Sequence, residues 1–118
     1  MSRVPGGEEV TTYIEERTYY PTGYDPDNPK HKYNVIAYTL GVYYRGDGRW
    51  MVSPQREGHS QMTHTGRLLW LPRKFQQMRW CRFDFETACA LAEQNVDKLD
   101  TLRGRTWADL MAEWEATA

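Results

Sequence analysis

Apolar positions recur with helical spacing only in the last third of the chain. Phe85, Ala88, Cys89, Ala92, Val96 and Leu99 mark one face of a helix, and Trp107, Leu110, Met111 and Trp114 mark another. Asp84 precedes the first stripe and can accept a hydrogen bond from a first-turn N–H. Thr106 precedes the second, with Asp109 in the place of the capping-box acid. Glu86 early and Lys98 late in the first helix suit the helix dipole. Gly104 separates the two.

Upstream the pattern is extended. Thr, Tyr, Val and Ile crowd residues 9–20 and predict a strand. Residues 21–29, with three prolines, a glycine and several Asp and Asn, predict a loop. Tyr33 to Tyr44 carries apolar bulk at both odd and even positions, which predicts a central strand, with Gly41 marking a bulge or a close approach. Arg45-Gly46-Asp47-Gly48-Arg49 supplies hairpin chemistry, because Asp-Gly tolerates positive φ. Trp50 to Ser53 returns as its partner. Pro54 to Gly66 predicts a polar loop, long enough to suggest a binding role. Arg67 to Leu71 predicts a short strand ended by Pro72, and residues 73–83 a helical turn followed by a strand through Trp80. The expected architecture is α+β: one antiparallel sheet of four to five strands, followed by two C-terminal helices packed on one of its faces. Residues 1–8, with Pro5-Gly6-Gly7, are expected to form a flexible lead to a single domain over 9–118.

One ordering of elements resembles a known design. Trp50 in a hairpin, a later strand, and Phe83-Asp84-Phe85-Glu86-Thr87-Ala88 opening a helix are similar to the three-stranded-sheet-plus-helix domain of AP2 type. The arm-binding domains of tyrosine integrases share it. The resemblance covers roughly residues 42–98 and rests on element order, without a specific motif. It implies a sheet that binds DNA and assigns no residue a role. The thirteen-residue loop and the second helix depart from the pattern.

Composition restrains this picture. The chain has 118 residues, enough for one modest core. Its mean hydropathy of −0.81 suggests disorder, but 14% of residues are aromatic, and disordered chains are poor in these. No stretch approaches a membrane span, and the N-terminus has no apolar signal region, so cytoplasmic residence in the producing or host cell is the expectation. Two cysteines are too few for a disulfide framework.

Charge adds what the total conceals. The formal net charge is −1. Yet residues 31–83 hold nine basic residues against Asp47 and Glu57, a balance of +7, between ends of −3 and −5. All three histidines and nine of the sixteen aromatics also lie in this middle segment. Arginine forks pair with phosphate oxygens and aromatic faces stack on unpaired bases. The candidate binding residues for nucleic acid or another acidic partner are therefore Arg45, Arg49, Trp50, Arg67, Arg73, Lys74 and Arg79, with Trp50 expected to stack. The plainer alternative has the aromatics in the core and the arginines solvating strand edges. The sequence pI of about 6.3 is low for an ordinary DNA-binding domain.

Other chemistries find less support. Arg45-Gly46-Asp47 spells the integrin-binding tripeptide, but turn chemistry accounts for it. His59 and His64 share a loop, yet with Cys81 and Cys89 they match no zinc spacing, so neither metal nor cofactor is expected. Glu15 and Glu16 are adjacent on a strand and point to opposite faces, and no phosphate-binding glycine loop appears. The leading expectation is a small non-enzymatic binding protein acting through its basic, aromatic hairpin and sheet. The alternative is a phage-type inhibitor or adaptor working by protein–protein contact, similar to many anti-CRISPR proteins in size and style. Its motivation is the enrichment in Tyr, Trp and Arg, together with Glu113, Trp114 and Glu115 on the last helix. A small enzyme of unassigned class is the third possibility.

Overall fold

The computed structural model describes residues 13–75, 81–101 and 103–117. Three strands form the main antiparallel sheet: β1 (Arg17–Tyr19), β2 (Leu40–Gly46) and β3 (Arg49–Ser53), in that order. β2 is central, as its two-sided apolar pattern predicts. The β2–β3 turn places Asp47 and Gly48 at φ 54 and 66, the left-handed values a two-residue hairpin turn needs. The register irregularity falls between Tyr44 and Gly46. Gly41 marks the close approach instead: a Cβ there would stand 2.2 Å from the Tyr43 ring.

The expectation of one sheet of four to five strands is corrected. β4 (Ser60–Met62) and β5 (Leu68–Trp70) pair with each other in a separate two-stranded sheet. β4 arises inside the segment 54–66, where a polar loop was predicted. Ser53 at the end of β3 ties the two together, its hydroxyl 2.6 Å from the carbonyl oxygen of Ser60. The later strand of the AP2-type pattern therefore leaves the main sheet, and β1 supplies the third strand.

The second correction concerns residues 33–39. They form no strand: helix α1 (Pro29–Asn34) is followed by a 3-10 helix, Val35–Tyr38. The cause is local. The Asn28 side chain accepts hydrogen bonds from the Lys30 and His31 backbones, and Pro29 occupies the first helical position. This start overrides the β-propensity of Tyr33, Val35 and Ile36. Of the strand expected over 9–20, residues 17–19 are extended and paired, while 9–12 lie outside the described residues.

Helices α2 (Phe85–Asn95) and α3 (Trp107–Ala116) follow their caps. Asp84 accepts from Thr87 N at 2.7 Å. Thr106 and Asp109 complete a reciprocal capping box. Both carboxyls lie below their usual pKa because each accepts a backbone hydrogen bond, Asp84 from Thr87 and Asp109 from Thr106. α2 packs across the main sheet, with Ala88, Cys89, Leu91 and Ala92 buried against Leu40, Val42 and Val52. Trp107 and Leu110 of α3 join the same core. Among the described residues, no helix is long and apolar enough to cross a membrane.

Candidate functional site

The β2–β3 hairpin carries Arg45, Arg49 and Trp50. The Trp50 ring meets Tyr44 edge-on at 5.0 Å and Phe85 at 5.2 Å. Its indole N–H donates to the Glu15 carbonyl at 2.8 Å, and its backbone exchanges two hydrogen bonds with Phe83. Trp50 is thus a clamp joining the hairpin to α2 and to the segment before β1. Arg45 and Arg49 are half-buried beside it. Arg82 is buried close by; burial lowers its pKa, and the like charge of Arg45 lowers it further.

A second place lies at the end of β5. Trp70 is 67% exposed, and its ring stacks nearly parallel on His59, with centroids 6.2 Å apart and 9° between the planes. The bond from Leu71 N to His59 O at 2.6 Å holds the two strands in this register. The 3-10 turn Arg73–Phe75 follows directly. It exposes Arg73 and Lys74, the latter with its ammonium 5.0 Å from the Phe75 ring centroid. Arg67 is exposed just before the opposite end of β5, and Arg79 lies outside the described residues.

The hairpin residues and those around β5 sit at opposite ends of β3. Ser53, which touches Ser60, ends β3, and Ser60 pairs with Trp70. The hairpin residues begin β3. At about 3.3 Å per residue, the strand separates the two places by about 13 Å.

The cations share one property. Among the described residues the ion pairs are Arg17–Glu15, Arg56–Glu16 and Arg105–Glu113. None engages Arg45, Arg49, Arg67, Arg73 or Lys74. Arg56 is taken up differently: it pairs with Glu16, holding that carboxyl below its usual pKa, and lies 4.8 Å over the Tyr43 ring.

Trp50 is the ring the sequence points to for stacking, but Trp70, to which the sequence assigns no role, is the more exposed of the two. Leu68-Leu69-Trp70-Leu71 is uniformly apolar, so alternation gave no inward or outward sense. The candidate metal ligands gain no company: Cys81 and Cys89 are buried free thiols, and among the described residues no three His, Cys, Asp or Glu side chains are grouped to hold a metal ion. No protein-family model, curated protein or solved structure matches this chain.

Proposed function

We propose that this chain is a non-enzymatic binding protein that holds single-stranded nucleic acid at the end of β5. Trp70 carries the proposal: a large exposed ring, already stacked on His59, offers a platform to a base, and Arg73 and Lys74 beside it enter no ion pair among the described residues. Aromatic stacking tolerates any base because every base has a π face. Arg73 and Lys74 supply contacts to the phosphates on either side of the stacked base, and Arg67 extends the track along β5. Arg45 and Arg49 form a second, separate basic site at the hairpin. Duplex DNA is the weaker ligand, since its bases are already stacked.

The test is fluorescence anisotropy of labelled single-stranded DNA, single-stranded RNA and duplex over a salt series. Three to five phosphate contacts give a log–log slope of about −2 to −3.5 for single strands. Single strands bind more tightly than duplex, and Trp70→Ala weakens them most. Absence of binding at the lowest salt, or undiminished binding by Trp70→Ala, overturns the proposal.

A protein partner is the second reading, and one observation favours it. Tyr33 and Ile36 project from α1 and the turn after it, 85% and 77% exposed. Such side chains serve as anchors in protein interfaces. Affinity capture with the wild type and a Tyr33→Ser/Ile36→Ser variant tests it. A partner retained equally by both excludes this surface.

A further inference from the structure

Six aromatic rings far apart in sequence converge between the 20–38 segment and α3. Tyr20 stacks on Tyr24 at 5.1 Å. Trp107 is 1% exposed and meets Tyr24, His31, Tyr38 and Trp114 edge-on, at 6.1, 5.1, 5.7 and 5.5 Å. In front of this cluster lies a cavity of about 850 Å³. His31 and Trp114 both line it, and their rings are 5.3 Å apart and inclined at 33°. The Met111 thioether lines it as well, seated against Gly23, where a Cβ would stand 2.8 Å from the Met111 methyl.

The walls are held in place before any ligand arrives. Trp107 backs both rings. The Asp25 backbone N–H donates to His31 Nδ1 at 3.0 Å, which fixes the orientation of the imidazole. Two carboxylates, Asp25 and Glu115, line the cavity against one ammonium, Lys30. None of the three belongs to an ion pair among the described residues.

We propose that this cavity is a binding site for a methylated ammonium group. The indole face of Trp114 is electron-rich and repels anions, whereas a cation within about 6 Å of its ring centroid is attracted by its quadrupole. Methyl groups make the ammonium apolar enough to leave water for the Met111 and Trp114 surface. Asp25 and Glu115 provide the balancing charge at the mouth. A free choline-like molecule and a trimethylated lysine side chain present the same chemistry. The site is independent of the nucleic-acid proposal and stands if that one fails.

The test uses the full chain and follows the Trp114 indole N–H by two-dimensional NMR during titration. The probes are choline, its neutral isostere 3,3-dimethylbutanol, and a trimethyl-lysine peptide beside its unmodified form. Choline moves the Trp114 resonance and binds roughly 3- to 30-fold more tightly than the isostere, the range expected of a cation over an aromatic face. Preference for the methylated peptide over choline identifies a protein-borne source, and the reverse identifies a free small molecule. Glu115→Gln, at an exposed position that leaves the fold intact, weakens choline by about threefold. Trp114→Leu abolishes the preference for the cation; a thermal melt of that variant separates loss of the site from loss of the fold. Equal binding of choline and the isostere, or no shift of Trp114 with any probe, overturns the proposal.

Discussion

Trp107 offers the sharpest test of how the core is assembled, because its two obvious truncations should behave in opposite ways. The indole is buried among four other rings, and among the described residues its Nε1 has no hydrogen-bond partner. Trp107→Ala leaves a large void and removes the edge-to-face contacts, a change of the class that costs about 3–5 kcal/mol. Trp107→Phe keeps a ring in place and deletes roughly 40 Å³, worth about 1 kcal/mol if the space stays empty. It also deletes a buried donor whose lost hydration opposes folding by about 1–3 kcal/mol. The two terms offset, so Trp107→Phe lies within about 1 kcal/mol of wild type and leans towards stabilisation. Urea unfolding followed by far-UV circular dichroism resolves the difference. With a slope near 1.5 kcal/mol per molar, the alanine variant loses about 2–3 M in midpoint and the phenylalanine variant moves by less than about 1 M. A loss above about 2 kcal/mol in Trp107→Phe refutes the reasoning, since it would mean that the indole N–H is satisfied, for instance by the face of a neighbouring ring.

The remaining predictions use the surface, the caps and the turns. Trp70→Ala changes stability by no more than about 0.5 kcal/mol but weakens single-strand binding by roughly 5- to 150-fold, the worth of one stacked base; a melt and an anisotropy titration on the same sample check both halves. Asp84 and Asp109 have folded pKa values below their unfolded ones, so their caps contribute fully above the unfolded value and are lost as pH falls through the folded one. Thermal melts below about pH 4 should therefore flatten in an Asp84→Asn/Asp109→Asn variant, and an unchanged acid profile would contradict the assignment. Thr106→Ala loses about 1 kcal/mol at neutral pH in the same melts. Gly66→Ala and Gly104→Ala both force a left-handed residue, at φ 83 and 72, but only the first meets an obstacle, the Asn95 side-chain oxygen 2.5 Å from the new Cβ. Gly104→Ala costs about 1–2 kcal/mol and Gly66→Ala more; equal losses would show that Asn95 yields freely.

The legible parts of this fold are those whose causes are close in sequence. Asp84 and Thr106 cap helices within three residues of themselves, and Asp47-Gly48 makes its turn from its own backbone freedom. The strand expected over 33–39 failed although the opposing signal, Asn28-Pro29, was equally local. Strand propensity acts over a window, whereas here a single cap and proline decide the backbone. Ile36 and Tyr33 then turned outwards, which no alternation rule applied to the wrong secondary structure can foresee. β4 was hidden for another reason. Ser60-Gln61-Met62 has little strand character of its own, and it pairs because β5 and the Ser53 hydroxyl are there to receive it. The aromatic cavity was out of reach altogether, since its walls come from residues 23–31 and 111–115.

The charge pattern is also reshaped by the fold. Acidic ends around a basic middle suggest mutual neutralisation, yet among the described residues Glu16–Arg56 is the one ion pair that joins an acidic end to that middle, and Arg45 and Arg49 act on Glu16 and Asp84 only at longer range. The other acids are engaged nearer home. Glu15 pairs with Arg17 and Glu113 with Arg105, each inside its own acidic segment. Asp84 and Asp109 cap helices, and Asp97 accepts two hydrogen bonds from Thr22 at 2.7 Å. The arginines and lysine in no ion pair among the described residues therefore lie in two places about 13 Å apart along β3, beyond the Debye length of about 8 Å at physiological salt. They act together on a distant anionic ligand at low salt and separately at high salt. Arg73→Ala/Lys74→Ala should then reduce the salt slope of single-strand binding by about 1.4, whereas Arg45→Ala/Arg49→Ala should lower affinity only at the low-salt end. Equal effects of the two pairs across the whole salt range would mean that one ligand spans both places.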